Sequence, residues 1–165
     1  MKFDHYKIEK GNIVADTIFI PQENLTDIHI STPFTFPIYK NRYVLAKDKM
    51  GWWNPLGGHI DINETWEQAL IREAYEEAGV KIKDIKIFGY IKISKLLNHP
   101  DNKYPDLTQI PMTISKAIEV DYNWVNMETS GRIIADEETA KKLLSQRTDN
   151  MQMLQIFEYL TTKVI

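Results

Sequence analysis

The chain has 165 residues, no cysteine and a formal net charge of −3, with 43% hydrophobic and 26% charged residues. That size suits one domain with a real core, and the sequence reads as a single domain over residues 1–165. Without cysteine there are no disulfides, thiolate nucleophiles or cysteine metal sites, and the charge offers no basic surface for nucleic acid, so no nucleic-acid partner is expected.

No stretch has the character of a signal peptide or a membrane span. A cytoplasmic protein with no membrane partner is expected. Residues 1–20 alternate weakly, and Lys10-Gly11-Asn12 has the composition of a hairpin turn between two short strands. Pro21 to Asp27 is a polar connection. Residues 28–40 are rich in Ile, Phe, Thr and Tyr and read as strand, with Pro33 and Pro37 arguing for an edge position or a break. Tyr39 to Tyr43 turns the chain into a strand over Tyr43–Ala46, and Lys47 to Met50 is a charged loop. Trp52 and Trp53 point to opposite faces if they lie on a strand. One then packs in the core, and Trp52 is the candidate to stack on a substrate ring.

Gly57 to Val80 reads as a glycine turn, a polar loop and one helix over Trp66–Ala78. Thr65 and Gln68 have capping-box spacing. Gly79 supplies the left-handed stop. Glu73, Glu76 and Glu77 stand at i, i+3 and i+4 and share one helix face. Like charges at that spacing destabilise a helix. A divalent cation relieves the repulsion, and Mg²⁺ takes carboxylates together with substrate phosphates. A solvated acidic face is the plainer reading of such a run. Against it, Leu70, Ala74 and Ala78 form an apolar arc beside the acids, which puts the carboxylates at the rim of a buried stripe.

Residues 82–93 read as strand, and Ser94 to Gln109 as a long irregular loop. Such loops often form lids. Lys95, His99, Lys103 and Tyr104 are its candidate substrate contacts, although a solvated loop without a role is the plainer reading of each. Ile110–Val120 alternates as a strand, a short strand is expected around Trp124-Val125, and Ser130-Gly131 reads as a turn. Asp136 caps a helix to Gln146. Asp149–Thr161 is an amphipathic helix that covers the core, with a homodimer contact as the second reading. Pattern alone gives a mixed α/β fold.

Five residues separate Gly58 from Glu64, seven separate Glu64 from Arg72-Glu73, and Glu76-Glu77 and Gly79-Val80 follow in register. This spacing resembles the complete signature of the Nudix hydrolases. Ala74 stands where that family prefers a larger aliphatic residue, and Leu56 where it places a proline. The resemblance implies an α/β/α sandwich with a mixed central sheet. It implies Mg²⁺, with Mn²⁺ as a substitute, held by Glu73, Glu76, Glu77 and the Gly57 carbonyl. Glu73 or a carboxylate outside the signature would orient or deprotonate water. Arg72 would fix a glutamate rotamer, and Glu64 would support the site. The catalytic set it implies is therefore Glu73, Glu77, Arg72 and Glu64. Some members add a distal carboxylate, for which Glu128 is chosen here over Glu119 and Asp121. The implied reaction is hydrolysis of the diphosphate bond of a nucleoside diphosphate linked to another group. The substrate would be a nucleoside triphosphate, an oxidised nucleotide, a nucleotide sugar or ADP-ribose. The alternative is a catalytically silent nucleotide sensor on the same fold.

Overall fold

The computed structural model describes residues 1–10, 13–95, 105–148 and 150–163. Its strands are β1 (Tyr6–Lys10), β2 (Ile13–Ile20), β3 (His29–Ile30), β4 (Phe34–Tyr39), β5 (Arg42–Lys47), β6 (Trp53–Asn54), β7 (Leu56–Gly57), β8 (Val80–Lys95), β9 (Leu107–Val120) and β10 (Gly131–Ala135). Its helices are α1 (Trp66–Ala78), α2 (Glu137–Leu144) and α3 (Gln152–Thr161).

The strands join in one mixed sheet, ordered β1-β2-β8-β9-β4-β5-β10. β3 and β4 run parallel to β9, and the other pairings are antiparallel. Alternation along β5 builds two cores, because neighbouring side chains leave a strand on opposite faces. Tyr43 and Leu45 join the cluster that contains Phe36, Leu144, Ile156 and Phe157, beneath α2 and α3. Val44 and Ala46 join Leu56, Leu70, Ala74 and Ala78, beneath α1. The sheet is thus held between α1 on one side and α2 with α3 on the other. Phe157 meets Phe36 at 5.2 Å and Tyr43 at 4.7 Å between ring centroids. The apolar side of α3 is therefore spent within the chain, as core cover. No helix among the described residues is long and apolar enough to cross a membrane.

Several expected elements take a different form. Residues 28–40 split at Pro33 into β3 and β4, and β4 lies inside the sheet. Pro37 is tolerated there because β7 pairs with β4 only as far as Thr35 and β5 starts pairing at Ile38. The missing N–H falls where the strand changes partners. Lys40 and Asn41, with φ of 48° and 60°, make the tight turn into β5. The expected turn at Gly11-Asn12 lies outside the described residues, although β1 and β2 pair on either side of it.

The expected loop from Ser94 to Gln109 is shorter. Ser94 pairs with Leu107 and Ile93 with Thr108, so both ends belong to long strands. β8 is broken by register shifts between Lys81 and Ile82, Lys83 and Lys86, and Ile87 and Gly89, which blurs its alternation. No strand forms at Trp124-Val125. The strand lies at β10, paired with β5, and Gly131, expected in a turn, begins it. Asp136 caps α2 by accepting from the Thr139 N–H at 2.8 Å. Asp149 lies outside the described residues.

Candidate active site

The helix α1 is set by its ends. The Thr65 hydroxyl accepts from the Gln68 N–H at 3.2 Å, and the Gln68 side chain accepts from the Thr65 N–H at 2.8 Å. Gly79 ends the helix at φ 60° and ψ 37°. No basic residue lies in its last turn. Arg132 of β10 supplies the cation instead and donates to the carbonyls of Ala78 and, at 2.8 Å, Asp121. Leu70, Ala74 and Ala78 are fully buried against the sheet, and this fixes the rotation of the helix. Truncation of Leu70 to alanine would cost about 3 kcal/mol.

That rotation brings the acids to the glycine turn. Gly57, Gly58, Arg72, Glu73, Glu76 and Glu77 line one open cleft of about 590 Å³, together with Thr32, His59, Asp61 and Glu128. One carboxylate oxygen from each of Glu73, Glu76 and Glu128 lies within 4.8 Å of the other two. Glu128 reaches them from the loop between β9 and β10. That loop is tied down by the Thr129 hydroxyl, which donates to the Glu77 carbonyl at 2.7 Å. It is also held by the Ser130 N–H, which donates to the Lys47 carbonyl at 2.7 Å.

Arg72 is the hub. Its Nε and Nη2 donate to both oxygens of Glu64, at 2.9 and 3.0 Å. Its Nη1 donates to Glu73 at 2.8 Å and to Glu76 at 2.9 Å, and Nη2 also donates to the His59 carbonyl at 2.8 Å. A guanidinium's planar fork allows this, and a lysine ammonium cannot reproduce it. The bond with Glu64, followed by those with the other glutamates, holds Arg72 firmly protonated. The Arg72 bond and the Asp61 N–H hold the Glu64 carboxyl below the usual range. Glu64 is thus committed to Arg72 and to the loop, and it faces the acids only through the arginine.

Burial pushes the Glu73 carboxyl up, against the pull of Arg72 and with the push of Glu76 and Glu128. Glu77 lies one turn further along α1. Its Oε2 accepts from the Gly57 N–H at 2.9 Å. Burial pushes its carboxyl up to about 8, with the Gly57 bond pulling the other way and the neighbouring carboxylates adding to the rise. These are hard oxygen donors crowded at one point with a single guanidinium between them. A divalent cation fits that donor set.

The model of the NUDIX domain matches residues 36–144. The chain belongs to the Nudix hydrolase family. An NAD-capped RNA hydrolase of Mannheimia succiniciproducens is 42% identical over 48 residues, which is 29% of this chain and 18% of that protein. An RNA pyrophosphohydrolase of Vibrio vulnificus is 37% identical over 83 residues, or 47% of this chain and 48% of that protein. The chain thus spans about half or less of the curated relatives it matches. A Nudix hydrolase from Nitrosomonas europaea shares the fold, with a TM-score of 0.63 and 13% identity over 83% of this chain and 90% of the other.

Among the described residues, Trp52 and Lys95 do not line the acidic cleft. Trp52 lies in a turn organised by Asp48, which accepts from its N–H at 2.9 Å. Trp53 packs against the core under α2 and α3. Lys95 ends β8, opposite Ala15 of β2. Tyr104, His99 and Lys103 lie outside the described residues. Sequence reasoning missed Asp61, His59 and Thr32. For Asp61 a signal was present, an aspartate three residues before Glu64, and its N–H donates to Glu64 at 3.0 Å.

Proposed function

We propose that this Nudix protein hydrolyses the diphosphate linkage of a nucleoside diphosphate joined to another group, with Mg²⁺ or Mn²⁺ held by the acidic cleft. The convergence of Glu73, Glu76 and Glu128 on one point carries the reading. Those carboxylates would hold the cation. Glu77, which lines the same cleft, and the Gly57 carbonyl are the further ligands expected from the family. The cation, when bound, neutralises phosphate charge and lowers the pKa of water.

The chain's own residues do the rest. Arg72 holds Glu73 and Glu76 in fixed rotamers, so that their oxygens need no reorganisation when phosphate enters. Glu64 holds Arg72. Glu73 is the base assigned to the attacking water, because Arg72 keeps it aimed into the cleft beside the point where the carboxylates converge. Glu128, on a loop outside the helix, is the alternative base.

The names of the curated relatives bring the 5′ end of RNA into consideration beside free nucleotides. A terminal nucleotide can enter a local acidic cleft without a basic surface, so the charge of −3 excludes less than it first implies. The test is a Mg²⁺ assay on nucleoside triphosphates, oxidised nucleotides, ADP-ribose, nucleotide sugars and 5′-triphosphorylated or NAD-capped RNA, with Glu76→Gln in parallel. Turnover of one class, lost in the variant, supports the reading. Nucleotide binding without turnover of any member moves the chain to the sensor class.

A further inference from the structure

We propose that the second cleft, between α1 and the 121–130 loop, holds the nucleoside base of the substrate. This rests on the hydrolase reading of the acidic cleft beside it. Tyr75 of α1 and Asn123, Trp124, Val125 and Met127 of the loop line an opening of about 380 Å³. That size accommodates a small organic ligand. Glu76 and Glu128 border both clefts and form the wall between them. A ligand with its phosphates at the acidic cluster can therefore bring its organic end against this lining.

The lining has the chemistry of a base site. Val125 and Met127 are 75% and 82% exposed, and Tyr122 beside them is 77% exposed. Large apolar side chains gathered on one short exposed loop mark a surface that something covers. Trp124 is held in place. A methyl on Gly79 would come within 2.5 Å of its side chain, and the Arg132 guanidinium lies 5.3 Å from its ring centroid. A fixed aromatic ring offers stacking at small entropic cost. The Asn123 N–H and the Tyr75 hydroxyl both donate to Asp121, each at 2.8 Å, which closes one side. The Asn123 side-chain amide carries both a donor and an acceptor, the pairing that base edges present. The charged residues lining the opening are Glu76, Asp121 and Glu128, all acidic, while Arg132 lies against the Trp124 ring. They repel a second phosphate and accept a neutral ring. Gly79 thus both ends α1 and admits the indole.

The base belongs either to a free nucleotide or to the terminal nucleotide of an RNA. In a direct test, the chain with Mg²⁺ is titrated with each common nucleoside 5′-monophosphate, which has no diphosphate bond to cleave, while the indole N–H signals are followed by NMR. Trp124→Phe assigns the signal. The double variant Val125→Ser/Met127→Ser removes the apolar contact without changing charge. Ile118→Ser, at a residue 50% exposed on β9 away from both clefts, is the control. At least one monophosphate should shift the Trp124 signal, and the double variant should weaken its binding about tenfold while the control does not. Binding that leaves Trp124 unshifted, binding that the double variant does not weaken, or no binding by any monophosphate overturns the proposal.

Kinetics separates this inference from the reading beneath it. With Mg²⁺, the double variant should raise KM about tenfold with little change in kcat. A rise on both free nucleotides and RNA supports the base site, and a rise on RNA alone names its terminal nucleoside as the occupant. Hydrolysis with KM unchanged on every substrate overturns the base site and leaves the hydrolase standing. Base binding at Trp124 by a chain that hydrolyses nothing does the reverse.

Discussion

A β-carbon on Gly58 would lie 2.3 Å from the carboxyl carbon of Glu73. The two residues are 15 positions apart in sequence and occupy one space. The first glycine of the signature is therefore a glycine because a glutamate carboxylate lies over it. Gly58→Ala should displace Glu73 from Arg72 and from the acidic cluster. An ångström of misplacement at a reacting centre costs about a hundredfold. We expect kcat to fall by that order while circular dichroism stays native. Unchanged kcat would mean that Glu73 moves freely.

Arg72 separates geometry from charge. Arg72→Lys keeps the charge and loses the fork that holds Glu64, Glu73 and Glu76 together. Hydrogen bonds to charged groups are each worth about 2 kcal/mol, and the Arg72 side chain is 27% exposed, so the net loss is set at about 2 kcal/mol. Denaturant unfolding measures it. Activity should fall as far in Arg72→Lys as in Arg72→Gln, because positioning and not net charge is lost.

Glu77 makes stability depend on pH. Its folded pKa is raised from 4.5 to about 8, chiefly by burial. The folded state therefore keeps a proton that the unfolded chain has lost. Stability from this group is full below about pH 4.5 and is lost as pH rises towards 8. The Tm of the metal-free protein should fall across that window, more gently in Glu77→Gln. Mg²⁺ should oppose the fall and raise Tm most at the alkaline end. Thermal scans with and without EDTA read both effects.

The helix cap tests stability without chemistry. Thr65→Ala removes the hydroxyl that receives the Gln68 N–H and should cost about 1 kcal/mol of stability. Thr65 does not line the acidic cleft, so kcat and KM at temperatures well below Tm should be unchanged.

The α1 region is legible in sequence because its logic is local. Capping, the left-handed stop and the shared face of the glutamates all act within a turn or two of chain. The path of Glu128 is not local. Its arrival depends on Thr129 reaching the Glu77 carbonyl across 52 positions of sequence, and on the pairing of β10 with β5. β10 itself hides because its apolar signal is only the short run Ile133, Ile134 and Ala135, just before the Asp136 cap. Trp52 and Trp53 illustrate the same limit. Strand geometry would set them on opposite faces, but Trp52 lies in the Asp48 turn ahead of β6, and Trp53 alone joins the strand and packs against the core. The full length of β8 is obscured by three register shifts.

The most direct measurement is Mn²⁺ binding by electron paramagnetic resonance, in wild type, Glu73→Gln, Glu76→Gln and Glu128→Gln, with hydrolysis of the best substrate assayed on the same samples. The account predicts binding that weakens in each variant, with activity falling alongside it. Native Mn²⁺ binding in all the variants, or full activity in EDTA, would contradict the claim that these carboxylates hold the cation on which hydrolysis depends.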